Sequence, residues 1–187
     1  THTNNVDIVA TESTSTDFQD IDGLITNVKD KVLSAVFADC NSLLLYDPIK
    51  NAIGNIHSGW RGTVAKIGEV AINKMVETYG CSPSDIICCI GPSIRQCHFE
   101  VEDDVRSLFM EAFQDESIVK IGEIKDGKQK YFIDSIKAIK GMLIECGLKP
   151  ENIIDCEICT LCNKDVLHSY RDRKSEAGRN ASIMCLI

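Results

Sequence analysis

Cys40 and His57 are two residues of this chain whose types and spacing point to shared chemistry. They stand 17 positions apart, and the midpoint between them falls in Asp47-Pro48-Ile49-Lys50-Asn51. That turn-forming stretch is flanked by Leu43-Leu44-Leu45-Tyr46 and Ala52-Ile53-Gly54-Asn55-Ile56, two runs that read as strands. An antiparallel hairpin folded there is expected to set residues 40 and 57 directly opposite one another, with Cβ atoms roughly 4.5–5.5 Å apart. A thiolate and an imidazole at that distance suit one Zn2+, with copper as competitor. The plainer reading makes Cys40 a small buried hydrophobe and His57 a hydrogen-bonded turn residue.

The residues just after His57 favour a reaction site. His57-Ser58-Gly59-Trp60-Arg61-Gly62 reads as a strand-to-helix junction with two glycines, where backbone N–H groups can approach an anion closely. Arg61 adds a fixed cation whose fork matches phosphate. A competing signal is Cys156-x2-Cys159-x2-Cys162 with His168 beyond it. It lacks the fourth cysteine of an iron–sulfur run and the second Cys pair of a zinc ribbon. A non-catalytic zinc or thiol interaction module is the reading that this segment would support. Cys97-His98 is expected not to be a metal pair, because neighbours on a strand point to opposite faces.

Four strings then carry a resemblance. Ala38-Asp39-Cys40, His57 to Gly62, Ile90-Gly91-Pro92-Ser93-Ile94 with Phe99-Glu100-Val101, and Ser169-Tyr170-Arg171-Asp172 resemble, in order, the motifs of the YfiH-like family. Its members are called laccase-domain or polyphenol oxidoreductase proteins and, more recently, purine nucleoside phosphorylases. Thr1 to Val6 resembles the family segment that holds the first metal-binding histidine. The resemblance implies a mononuclear zinc site of His2, Cys40 and His57, with three protein ligands and a position left for a reactant. It implies phosphorolysis of adenosine, inosine, guanosine and methylthioadenosine, with adenosine deamination as a second activity.

Phosphorolysis asks for a cation beside the ribose C1′ as the glycosidic bond opens. Arg61 and Arg171, with the amides near Gly62, are the phosphate-binding candidates, and Arg171 is preferred to Arg173. Deamination asks for an activated water at the purine C6 and a proton carrier, for which Asp39 is the nearest carboxylate. Asp39 is equally readable as a strand-end carboxylate. Ser93 is a substrate-contact candidate, although turns hold serine for local reasons. A copper-dependent polyphenol oxidase is the alternative within the family; one thiolate and two imidazoles provide for a single ion, where oxygen reduction would need several. A cell-wall precursor role, attached to bacterial members, is neither supported nor excluded.

Residue pattern predicts the strands and helices that carry these groups. Val32 to Ala38 reads as a buried strand, and a helix is expected from about Thr63 to Tyr79, stopped by Gly80. Ile86 to Ile90 reads as a further buried strand. Glu102-Asp103-Asp104 opens a second helix, and Asp134 caps a third that Gly147 stops. Strands are expected within Ile118 to Ile133 around Asp126-Gly127, and over Ile153 to Ile158 and Ser182 to Ile187. The expected fold is α+β, and the resemblance implies a layered α-β-β-α sandwich of mixed sheets. One domain is expected over 1–187, without the N-terminal segment of several dozen residues that family members carry.

Composition bounds the rest. The 187 residues are 44% hydrophobic and 26% charged, a globular balance that argues against disorder. A net charge of −8 with no Lys/Arg block argues against nucleic acid or an anionic membrane as partner. No apolar run approaches the ~18 residues of a membrane span, and no basic-then-apolar leader is visible. Ten cysteines are many, but a chain this long needs no staples, so reduced thiols and a cytoplasmic setting are expected. Cys88, Cys89, Cys146 and Cys185 lie in apolar runs and are expected to be buried.

Overall fold

The hairpin expected around Pro48 forms the middle of the largest sheet. A computed structural model describes residues 3–10 and 18–187. In chain order the first elements are β1 (Val6–Ile8), β2 (Gly23–Thr26), β3 (Val32–Phe37), β4 (Asn41–Asp47), β5 (Ala52–Ser58), α1 (Trp60–Val64), α2 (Ile67–Tyr79) and β6 (Ile87–Ile90). The later elements are β7 (Glu100–Val101), α3 (Asp103–Phe113), β8 (Val119–Lys125), β9 (Lys128–Ile133), α4 (Ser135–Glu145), β10 (Ile153–Asp155), α5 (Tyr170–Arg173) and β11 (Asn180–Cys185). A six-stranded mixed sheet runs β1-β2-β5-β4-β6-β10, parallel at both ends and antiparallel in the middle. Helices α2 and α4 cover one face, packing Ile67, Ile72, Met75, Ile139 and Leu143 onto Leu43, Leu45 and Ile56. A two-stranded sheet, β3 with β11, lies on the other face, where the buried Asn55 Nδ2 donates to the carbonyls of Leu33 and Ser182. The β7-β9-β8 sheet and α3 enclose a smaller core around Phe109. The fold is the α+β that the pattern predicts, with the mixed sheets that the resemblance implies.

Local chemistry explains where boundaries moved. The expected single helix from Thr63 is two, because Lys66 adopts a left-handed φ of +55° between α1 and α2. Thr63 Oγ1 bonds back to Gly59 O at 3.0 Å and the Lys66 N–H donates to Thr63 O, which closes a tight turn before Ile67 faces the sheet. Gly80 does end α2 in the left-handed region at φ +67°, and Asp134 caps α4 by accepting from the Lys137 N–H at 2.9 Å. Strand β3 is not buried throughout: it alternates, with Val32 and Val36 exposed, since only one face of its two-stranded sheet is covered. Among the four cysteines expected inside, Cys88 is buried, Cys89 and Cys146 are half-buried, and Cys185 is exposed at the end of β11. Among the described residues no helix is long and apolar enough to cross a membrane.

Candidate active site

The register of the hairpin decides how Cys40 and His57 meet. Asp47 pairs with Ala52 and Ser42 with His57, so the loop is the four residues 48–51 and Cys40 stands two positions from the residue opposite His57. The direct opposition expected from the midpoint is therefore corrected to a diagonal one. Asp47 causes the shift: its Oδ1 accepts from the N–H groups of Ile49 and Lys50 at 2.8 and 2.9 Å, while Asn51 takes a left-handed φ. Cys40 itself lies just before β4, after the left-handed turn at Asp39.

Asp22 is bonded to His57, and nothing in its sequence spacing marks it. Its Oδ1 lies 3.1 Å from His57 Nδ1, and its main-chain oxygen accepts the His57 N–H at 2.7 Å. A carboxylate on Nδ1 fixes the ring and makes Nε2 the nitrogen suited to a metal, the usual outer support of a histidine ligand. Burial, reinforced by the charges of Asp39 and Asp22, pushes the Cys40 thiol up to about 11. By their chemistry, a thiol and an imidazole backed by a carboxylate are a donor set suited to Zn2+. His2 lies outside the described residues. Thr3, its neighbour, does not: Asp22 Oδ2 accepts from the N–H groups of Thr3 and Asn4 at 2.5 and 3.0 Å.

Asp39 turns the chain at the entrance to β4 with a φ of +80°, a conformation tolerated best by glycine, Asn and Asp. Its Oδ1 accepts from Thr160 Oγ1 at 2.6 Å, and its Oδ2 from Ser169 Oγ at 3.0 Å and the Arg171 N–H at 2.7 Å. The carboxylate thus ties the 160–171 segment to the start of β4. Arg171 borders two adjoining cavities of about 380 and 370 Å3, which share Trp60 and Phe99. Asp39, Cys40 and Asn41 line the second. Arg171 Nη1 donates to Glu100 O at 3.0 Å, which holds the guanidinium in place, whereas Arg173 is exposed and lies beside Asp172. His57 borders a separate cavity of about 470 Å3 with Asp22, Asn55 and Val36.

The remaining candidates lie elsewhere. The Arg61 guanidinium sits over the Trp60 ring, 4.2 Å from its centroid, at the exposed start of α1. Gly62 is buried, and a Cβ there would meet Ile67 and His57 O at ordinary contact distances, so no protein neighbour demands this glycine. Ser93 is buried with no hydrogen-bond partner for its Oγ among the described residues. Its backbone is stitched to the C-terminal segment through Ile158 O and the Thr160 N–H. Asn41 is a residue that sequence reasoning misses: it gives Nδ2 to Ser58 O, and its buried Oδ1 has no partner among the described residues.

A second group forms behind this cleft. Cys97, His98, Cys159 and Cys162 bring their donor atoms within 4.8 Å of one another, close enough for one ion. The expectation that Cys97 and His98 point apart is corrected, because they lie in a turn closed by the His98 and Phe99 N–H groups on Arg95 O, not in a strand. Cys156 and His168 are not members. Cys156 Sγ instead accepts from Arg95 Nη2 at 3.5 Å, and the His168 ring packs over Gly178.

Comparison with known proteins agrees with this architecture. The Bacillus subtilis purine nucleoside phosphorylase YlmD is 34% identical over 164 residues, which is 87% of this chain and 58% of that protein. A Clostridium acetobutylicum purine nucleoside phosphorylase is 37% identical over 182 residues, 95% of this chain and 72% of its own length. This chain thus spans little more than half of the first of these relatives. The crystal structure of the Bacillus licheniformis hypothetical protein YfiH superposes with a TM-score of 0.92 at 26% identity, over 100% of this chain and 72% of that one. A family model described as multi-copper polyphenol oxidoreductase laccase matches residues 1–187, and the chain belongs to that family.

Proposed function

We propose that residues 1–187 form one domain bearing a zinc-dependent purine nucleoside phosphorylase site, acting on adenosine, inosine, guanosine and methylthioadenosine, with adenosine deamination as a second activity. The relatives' names support the reaction class. On this chain the observation that carries it is Arg171, whose guanidinium is held by the Glu100 carbonyl and whose main-chain N–H is held by Asp39, at the border of two adjoining cavities. A guanidinium held in advance of binding suits an oxyanion such as phosphate, because no reorganisation is needed when charge develops.

Roles follow from placement. Arg171 binds phosphate. The Trp60 side chain, on the shared wall of both cavities, offers an apolar surface for the purine, with Arg61 on its ring. Asn41 Oδ1, buried and without a partner among the described residues, accepts from a ribose hydroxyl or a purine amine. Asp39, bonded to three donors, positions Arg171 and is the candidate proton carrier for deamination. His2, Cys40 and His57 would hold the zinc, with Asp22 bonded to the His57 ring. Once bound, the ion supplies Lewis-acid polarisation beside the cleft. A cytoplasmic setting, which keeps thiols reduced, suits the ten free cysteines.

The test is phosphate-dependent release of adenine from adenosine, followed by chromatography with and without a chelator. Adenine and ribose phosphate formed only with phosphate are expected. Base release that ignores phosphate would overturn the phosphorylase reading, and inosine as the main product would shift it to deamination.

A further inference from the structure

We propose that Cys97, His98, Cys159 and Cys162 form a second metal site, a closed structural Zn2+ site separate from Cys40 and His57. The geometry carries the inference. Tetrahedral zinc with Zn–S of about 2.3 Å and Zn–N of about 2.0 Å places two sulfurs roughly 3.8 Å apart, and a sulfur and a nitrogen roughly 3.5 Å apart. Here Cys97 Sγ and Cys162 Sγ are 3.8 Å apart, and His98 Nδ1 lies 3.6 Å from Cys159 Sγ and 3.5 Å from Cys162 Sγ. A sulfur separation of 3.8 Å also far exceeds a disulfide bond.

The donors and their surroundings agree with that ion. Three thiolates and one imidazole select a soft or borderline cation, and four protein ligands leave no open position, the pattern of structural zinc. Cys159-x2-Cys162 has the spacing of a zinc knuckle, and the main-chain N–H groups of Cys162 and Arg95 point at the Cys159 sulfur. The other two ligands come from the turn at 95–98, 61 or more residues away in sequence.

A metal there has a mechanical role. Residues 156–169 contain no strand or helix, and such irregular chain gains most from a cross-link. The ion would join this segment to the 95–98 turn at two places that support the cleft. Thr160, next to Cys159, donates to Asp39 Oδ1, and the His98 carbonyl accepts from Arg171 Nη1 at 3.4 Å.

The experiment measures zinc per chain in the full-length protein and in three variants. The paired change Cys97→Ser with Cys162→Ser is expected to lose one zinc per chain and Cys156→Ser none, while Cys40→Ala loses a different zinc. Loss in the paired variant therefore stands or falls independently of the Cys40 site. Alkylation of the unmutated protein, mapped by mass spectrometry, needs no variant to fold. With zinc, Cys97 and Cys162 are expected to resist reagent although both are exposed, while the exposed Cys156 reacts; chelation should make all three react. Unchanged zinc in the paired variant would overturn the proposal. So would Cys97 and Cys162 reacting as fast as Cys156 in zinc-loaded protein, or a Cys97–Cys162 disulfide recovered in place of zinc.

Discussion

The Arg171 N–H donates to Asp39 Oδ2 at 2.7 Å across 132 residues of sequence. This bond sets the cation of the cleft against the turn that precedes Cys40. Asp39→Asn keeps the size and tolerates the left-handed backbone, but puts an NH2 group among three donors. It is expected to cost about 2 kcal/mol in urea unfolding. Phosphorolysis should fall roughly 10²-fold if Arg171 shifts by about an ångström. A pH–rate profile separates the two roles: positioning leaves its shape intact, whereas loss of a proton carrier removes a limb.

Arg171→Ala should lower kcat by roughly 10²–10³, the usual effect of deleting a positioned oxyanion partner. Arg171→Lys should recover little, because a point charge does not reproduce the fork. Arg173→Ala, on an exposed residue beside Asp172, should change stability by less than about 0.5 kcal/mol and leave phosphate saturation unaltered. Steady-state kinetics against phosphate decide this.

Acid sensitivity should trace to Asp155. Burial raises its carboxyl, but bonds from Arg95, the Glu157 N–H and Lys140 outweigh this and hold it below the usual carboxylate value. A depressed folded value means that the stabilisation is complete above the unfolded value, about 3.9, and is lost as pH falls through the lower folded value. Asp155→Asn is therefore expected to cost about 2 kcal/mol at neutral pH. The gap to the parent protein should close only below pH ~4, as unfolding at several pH values would reveal.

Two glycine-to-alanine changes should have opposite signs. Gly80→Ala forces a side chain into φ +67° and should cost about 1 kcal/mol, although the added Cβ meets only Lys50 at ordinary distances. Gly141→Ala, inside α4 with open space around the new methyl, should stabilise by about 0.8 kcal/mol. Thermal unfolding of the pair measures both.

Local pattern is enough for the hairpin over residues 43–56, the caps at Asp134 and Gly80, and the motif strings around Cys40, His57 and Arg171. These depend on neighbours a few residues apart, where periodicity and turn chemistry act directly. Long-range placement was settled by packing. The hydrogen bonds of Asp47 set a register two residues from the expected one. Asp22 reached His57 because β2 lies beside β5, an adjacency that no spacing encodes. The turn at 95–98 carried Cys97 and His98 to Cys159 and Cys162, and Asp39 gathered Thr160, Ser169 and Arg171. Such contacts arise when the order of strands in a sheet brings distant segments together, a result of packing the whole core that no single stretch of residues contains.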